Sequence, residues 1–220
     1  MNSIYTLTTW IIPLLLCIIL HEVAHGYVAY KLGDKTAWLM GRLNLNPARH
    51  FDPIGSAFVP GMLWLTGSPV LFGWAKPVPV DFRQLKNPKR DMGLVALAGP
   101  LSNVLLAILF VLFARLMLFV LPNDSFLTMW IMDNVKNGIT FSLFLACFNL
   151  LPILPLDGGR ILVSLLPKKL AYKYQQTESY GMYILLGLMF LPFVLGVNLI
   201  GLFLGSILPY LYNFIMWLAF

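Results

Sequence analysis

Apolar residues run almost unbroken along this chain, and the polar positions cluster between the runs or at their ends. The first run, about Ile4 to Leu32, is apolar from Trp10 to Leu20. It then carries His21, Glu22 and His25 and stops at Gly33, a residue type that commonly follows the last turn of a helix. Pro13 is placed to kink it. Residues 34–52 are polar and loop-like. Ile54 to Phe72 is apolar but broken by Pro60, Gly61, Gly67 and Pro69, and residues 73–91 hold five basic side chains beside a strand-like alternation from Trp74 to Val80. Met92 to Leu121 is the longest apolar run, with Arg115 its only charge. After a short connection, Ile139 to Leu151 is apolar and leads into Pro152-Ile153-Leu154-Pro155-Leu156-Asp157-Gly158-Gly159-Arg160. Residues 167–178 are basic, and the last stretch reads as two helices joined near Gly196 to Gly205.

Composition turns these runs into membrane spans. Of 220 residues, 59% are hydrophobic and 11% charged, with mean hydropathy +0.80; an ordinary soluble domain carries about 25% charged residues. A soluble enzyme and a disordered chain are excluded. At roughly 20 residues per spanning helix, the length allows five or six spans with short loops. Net charge is +6 with pI near 9.4. In this setting it reads as basic loops that orient the chain in the bilayer, not as a nucleic-acid surface. Residues 31–91 hold nine of the fifteen lysines and arginines, residues 160–173 hold four, and the connection after Leu121 leads only to Lys136. The positive-inside rule puts the first two regions in the cytoplasm.

With both flanks basic, Ile54 to Phe72 cannot cross and is expected to be re-entrant or interfacial, buried in protein or lining a wet cavity. The expected fold is an all-α polytopic membrane protein with five spans, N-terminus outside and C-terminus inside, or six if residues 54–72 cross. A re-entrant segment and a small strand-like element lie between the first two spans. Residues 1–167 form the expected core and residues 168–220 a C-terminal helical pair. Cys17 and Cys147 lie inside apolar runs, so no disulfide framework is expected. The N-terminus has no basic region of the kind that opens a cleavable signal peptide.

His21-Glu22-Val23-Ala24-His25 carries the chemistry. At 100° per residue, His25 returns to within about 40° of His21, so both imidazoles project from one helix face. Two ring nitrogens can then share one metal, and Glu22 beside them can take a proton from water. The alternative is a polar patch packed between helices. However, two of the chain's three histidines and one of its two glutamates fall within these five residues, and a membrane helix carries such groups at a cost of several kcal/mol. A catalytic zinc needs a third protein ligand and an open position. The remaining candidates are Asp34, Asp52, Asp81, Asp91, Asp124, Asp133, Asp157, Glu178 and His50. Asp157 is favoured. Its end of the preceding span lies on the same side as the motif, and Gly158 and Gly159 allow close backbone approach. The alternative for Asp157 is an N-cap.

His-Glu-Val-Ala-His on a first apolar helix and Phe148-Asn149-Leu150-Leu151-Pro152 running into Asp157-Gly158-Gly159-Arg160 on a later one resemble the site-2 protease family of intramembrane zinc metalloproteases. Segments 32–37, 41–55, 72–80 and 98–103 resemble it as well, and the likeness is to a compact prokaryotic branch without a PDZ domain. The resemblance implies that His21, His25 and Asp157 bind one zinc ion and that Glu22 is the general base. It also implies that Asn103 lies near the metal and helps hold the substrate carbonyl or its oxyanion. A hydrogen bond between helices accounts for Asn103 and Asn149 equally well. The implied function is peptide hydrolysis in or near transmembrane segments of single-span membrane proteins. The active site would face the cytoplasmic side of the cell membrane.

A helical substrate hides its carbonyls and must unwind before cleavage, and an extended segment can add to an exposed strand edge. Trp74, Lys76, Val78 and Val80 are therefore candidate substrate-binding residues. A polytopic metal transporter using the same histidine–glutamate helix is the alternative function, and an inactive helix-binding homologue a third.

Overall fold

The computed structural model describes residues 3–67, 73–122 and 125–217. The elements in chain order are α1 (Ser3–Leu32), α2 (Thr36–Leu39), α3 (Pro47–His50), a π-helical turn Pro53–Phe58, α4 (Val59–Leu65), a 3-10 turn Phe82–Gln84, α5 (Pro88–Val120), α6 (Phe126–Asn149), α7 (Asp157–Leu165), α8 (Lys168–Gln175), α9 (Glu178–Leu195) and α10 (Leu199–Trp217). Four of them, α1, α5, α9 and α10, are long and apolar enough to cross a membrane. The protein is an all-helical, multi-pass membrane protein.

α6 differs from the apolar segment expected at 139–151. It is a 24-residue helix whose first half carries Asp133, Asn134, Lys136 and Asn137, which keeps it out of the set of strongly apolar spans. Three polar contacts tie this half to α1: Tyr5 Oη donates to Asp133 Oδ2 at 2.6 Å, Asn137 Nδ2 to the Thr9 carbonyl at 2.7 Å, and Trp130 Nε1 to Thr8 Oγ1 at 3.0 Å. Farther along the same interface, Cys17 Sγ lies 3.1 Å from Ser142 Oγ, and both side chains are fully buried. A common apolar core forms from Ala107 and Val111 of α5, Val135, Ile139 and Leu143 of α6, and Ile215 of α10. α1, α5 and α6 thus pack on one another, α7 leans on α5, and α10 covers α6. The stretch from 168 to 217 contains the short basic helix α8 as well as the expected helical pair.

No described residue lies in a β-strand, which corrects the strand-like reading of Trp74 to Val80. The reason is the use of its backbone groups. The N–H of Trp74 donates to the Gly55 carbonyl at 3.0 Å and that of Lys76 to the His50 carbonyl at 2.9 Å. The N–H of Val78 donates to Glu22 Oε2 at 2.7 Å. The carbonyl of Trp74 accepts from Ser56 Oγ. The carbonyls of Lys76 and Pro77 accept from Arg42 Nη2 at 2.9 and 3.3 Å. Pro77 and Pro79 have no N–H to offer. Helices, turns and side chains therefore satisfy the segment, and it forms no ladder. Its far end is pinned by Asp34, a fully buried carboxylate that accepts from Asp81 N at 2.8 Å and Thr36 N at 2.9 Å. Hydrogen bonds from Arg83, first from its side chain and then from its backbone N–H, hold the Asp81 carboxyl below the usual carboxylate range.

The expected re-entrant segment begins as the π-helical turn and continues as α4 to Leu65. Asp52 opens it, its Oδ1 accepting from Ile54 N and Gly55 N at 3.0 and 2.7 Å. The rest of the expected segment, residues 68–72, lies outside the described residues.

Candidate active site

His21 and His25 sit one turn apart on α1 and project toward α5, as their spacing requires. Their Nε2 atoms are 3.0 Å apart. Asp157, the first residue of α7, brings Oδ2 to 3.2 Å from His21 Nε2 and 3.3 Å from His25 Nε2. Two structural details permit this convergence. A methyl group at Gly99 would overlap the rings of both histidines, so only glycine lets the α5 backbone pass behind them. A methyl at Gly158 would strike the Leu150 carbonyl, so the turn leading into α7 needs a glycine beside Asp157, as the sequence implied.

The outer ring nitrogens are held by α5. His25 Nδ1 is 2.7 Å from the Val95 carbonyl, which can only accept, so Nδ1 carries the proton and the neutral ring turns a lone pair on Nε2 inward. His21 Nδ1 is 3.1 Å from the side-chain amide of Asn103, a residue with no exposed surface. The amide Oδ1 is buried without a partner when Nδ2 faces the ring. With Oδ1 turned to an Nδ1–H instead, the amide oxygen gains a donor and His21 Nε2 also presents a lone pair.

Three acceptors then face one another across 3.0–3.3 Å, and Asp157 Oδ2 is itself buried without a hydrogen-bond donor. Such a cluster is repulsive unless a cation lies between. A tetrahedral zinc with ligand bonds of about 2.0–2.2 Å spaces its donors a little over 3 Å apart, and two imidazoles with one carboxylate form a common catalytic zinc set. The residues fit the metal.

A cavity of about 280 Å³ opens beside the three groups, and Glu22 lines it together with Val78, Val80, Asn149 and Arg160. Of the four residues expected to bind substrate, Val78 and Val80 reach this cavity, whereas Trp74 and Lys76 do not line it. Asn103 does not line it either; it stands behind His21. The amide thus lies beside a metal-site histidine, with its contact made to the imidazole. His50 is not part of this cluster. It is the buried last residue of α3, with Nε2 against the Asn44 carbonyl at 2.9 Å.

Arg160 was not read as a site residue. It follows Asp157 by three positions on α7, a helical spacing that puts both on one face and could have signalled it. Its guanidinium stacks over Phe82 at 5.0 Å and lies 3.6 Å from Glu178.

Peptidase family M50 matches residues 9–140 and 126–192. YwhC of Bacillus subtilis (strain 168), provisionally named a zinc metalloprotease, is 41% identical over 193 residues, which is 83% of this chain and 80% of that protein. Rip2 of Mycobacterium tuberculosis (strain H37Rv), also provisionally named a zinc metalloprotease, is 32% identical over 148 residues, 66% of this chain and 52% of Rip2. Zinc metalloprotease MJ0392 of Methanocaldococcus jannaschii is 26% identical over 171 residues, 78% of this chain and 38% of its own length. No solved structure matches the chain. The chain therefore belongs to peptidase family M50, the site-2 protease family of zinc metalloproteases.

Proposed function

We propose that this protein is an intramembrane zinc metalloprotease that hydrolyses peptide bonds in or near the transmembrane segments of single-span membrane proteins. One zinc ion per chain is held by His21, His25 and Asp157. The observation that carries the reading is the convergence of their three acceptor atoms within 3.3 Å beside a cavity that Glu22 also lines.

When bound, zinc supplies Lewis-acid polarisation of a carbonyl and brings the pKa of water to about 7. Glu22 takes the proton of the attacking water and returns it to the leaving amine. Val95 and Asn103 fix the two imidazoles so that their inner nitrogens stay unprotonated. Val80 and Val78 give the cavity an apolar wall suited to the side chains of a membrane segment. By the positive-inside rule, the basic loops between α1 and α5 favour a site that faces the cytoplasmic side of the cell membrane.

The test is cleavage of a single-span model substrate by the purified protein, with zinc content measured in parallel. Glu22→Gln is expected to keep its zinc and lose at least about a hundredfold in rate. Asp157→Ala is expected to lose zinc. Full activity in Glu22→Gln would overturn the mechanism, and zinc uptake into vesicles without cleavage would favour a transporter.

A further inference from the structure

We propose that the backbone amide of Val78 is a positioning group for Glu22, anchoring one oxygen of the carboxylate so that the side chain is held in a single orientation at the cavity. This role rests on the protease reading above.

The contact is short and isolated. Val78 N lies 2.7 Å from Glu22 Oε2, and Val78 is 7% exposed. Pro77 and Pro79 flank it without N–H groups, so across residues 77–79 the Val78 amide is the only backbone donor. A free glutamate side chain samples several rotamers, and ordering it costs conformational entropy. A hydrogen bond from a fixed backbone N–H offsets that cost by holding one rotamer.

The donor is itself held in place from both sides. Arg42 Nη2 grips the carbonyls of Lys76 and Pro77, and Lys76 N is bound to His50 O. Beyond Val80, Asp34 holds Asp81 N at 2.8 Å. The loop between α3 and α5 thus acts on the base through one N–H. The same geometry withdraws that N–H from any substrate strand.

Two measurements test this. In the first, Val78→Pro removes the donor and Val78→Ala removes the side chain but keeps the donor. The proline variant is expected to lose at least about tenfold more kcat than the alanine variant, with similar KM and zinc content. Equal losses in the two variants would overturn the proposal.

The second does not depend on the proline variant folding. Residue-resolved hydrogen exchange by NMR reads the Val78 amide, the one backbone N–H across Pro77–Pro79. That amide is expected to exchange at least about tenfold faster in Glu22→Ala than in wild type. In Glu22→Gln, where an acceptor oxygen remains, it should stay slow, and the Lys76 amide should stay slow in all three proteins. An unchanged Val78 rate in Glu22→Ala would overturn the contact. A wild-type protein that protects this amide yet cleaves no substrate would overturn the protease reading and, with it, the role but not the contact.

Discussion

A histidine that ligates through Nε2 must carry its proton on Nδ1, and α5 supplies both groups that enforce this. The Val95 carbonyl serves His25 and the Asn103 amide serves His21. Replacing a main-chain carbonyl is impractical, so Asn103 is the accessible probe. Asn103→Ala is expected to weaken zinc binding by about 10- to 100-fold, the usual effect of losing a group that orients a metal ligand. Asn103→Asp, which keeps an acceptor oxygen, should recover part of it. Competition against a fluorescent chelator measures both. The histidine spacing was legible because a helix period converts four residues directly into one face. The position of Asp157 needed in addition the topology and the resemblance to a family. The partner of Asn103 was not legible, since only the packing of α5 against α1 decides whether an amide meets substrate or an imidazole.

At the scale of elements, buried polar contacts decide what the sequence pattern left open. The alternation from Trp74 to Val80 has the period of a strand, but pattern alone does not say where backbone hydrogen bonds go. Arg42, His50, Gly55 and Glu22, distant in sequence, take them instead. The boundaries of α6 were misread for a related reason. Asp133 and Asn137 look like loop residues, yet Tyr5 and Thr9 on α1 satisfy them within the helical bundle. The strap between α3 and α5 depends on Asp34 in the same way. Asp34→Ala leaves the amides of Thr36 and Asp81 without their acceptor. A loss of roughly 3 kcal/mol of stability is expected, since hydrogen bonds to a buried charge are each worth about 1.5–3 kcal/mol. Thermal unfolding in detergent measures the loss, and faster exchange at the Asp81 amide would localise it.

For the molecule as a whole, membrane character and the two-stretch origin of the site were legible, because composition and charge patterning are additive along the chain. The number of crossings was not, because polar residues in the first half of α6 dilute its apolar character although the helix packs against both α1 and α5. The distribution of lysine and arginine yields a testable orientation. A cysteine placed at Ser125, after α5, is expected to react with a membrane-impermeant maleimide from outside intact cells. One at Lys169 on α8 should react only after the membrane is opened. The reverse pattern would invert the topology.

That mapping is simplified by the tight seam between α1 and α6. Cys17 there has no exposed surface and Cys147 has 2%. The natural protein should thus give no background with thiol reagents, and single labels can be introduced one at a time without first stripping out its own sulfhydryls.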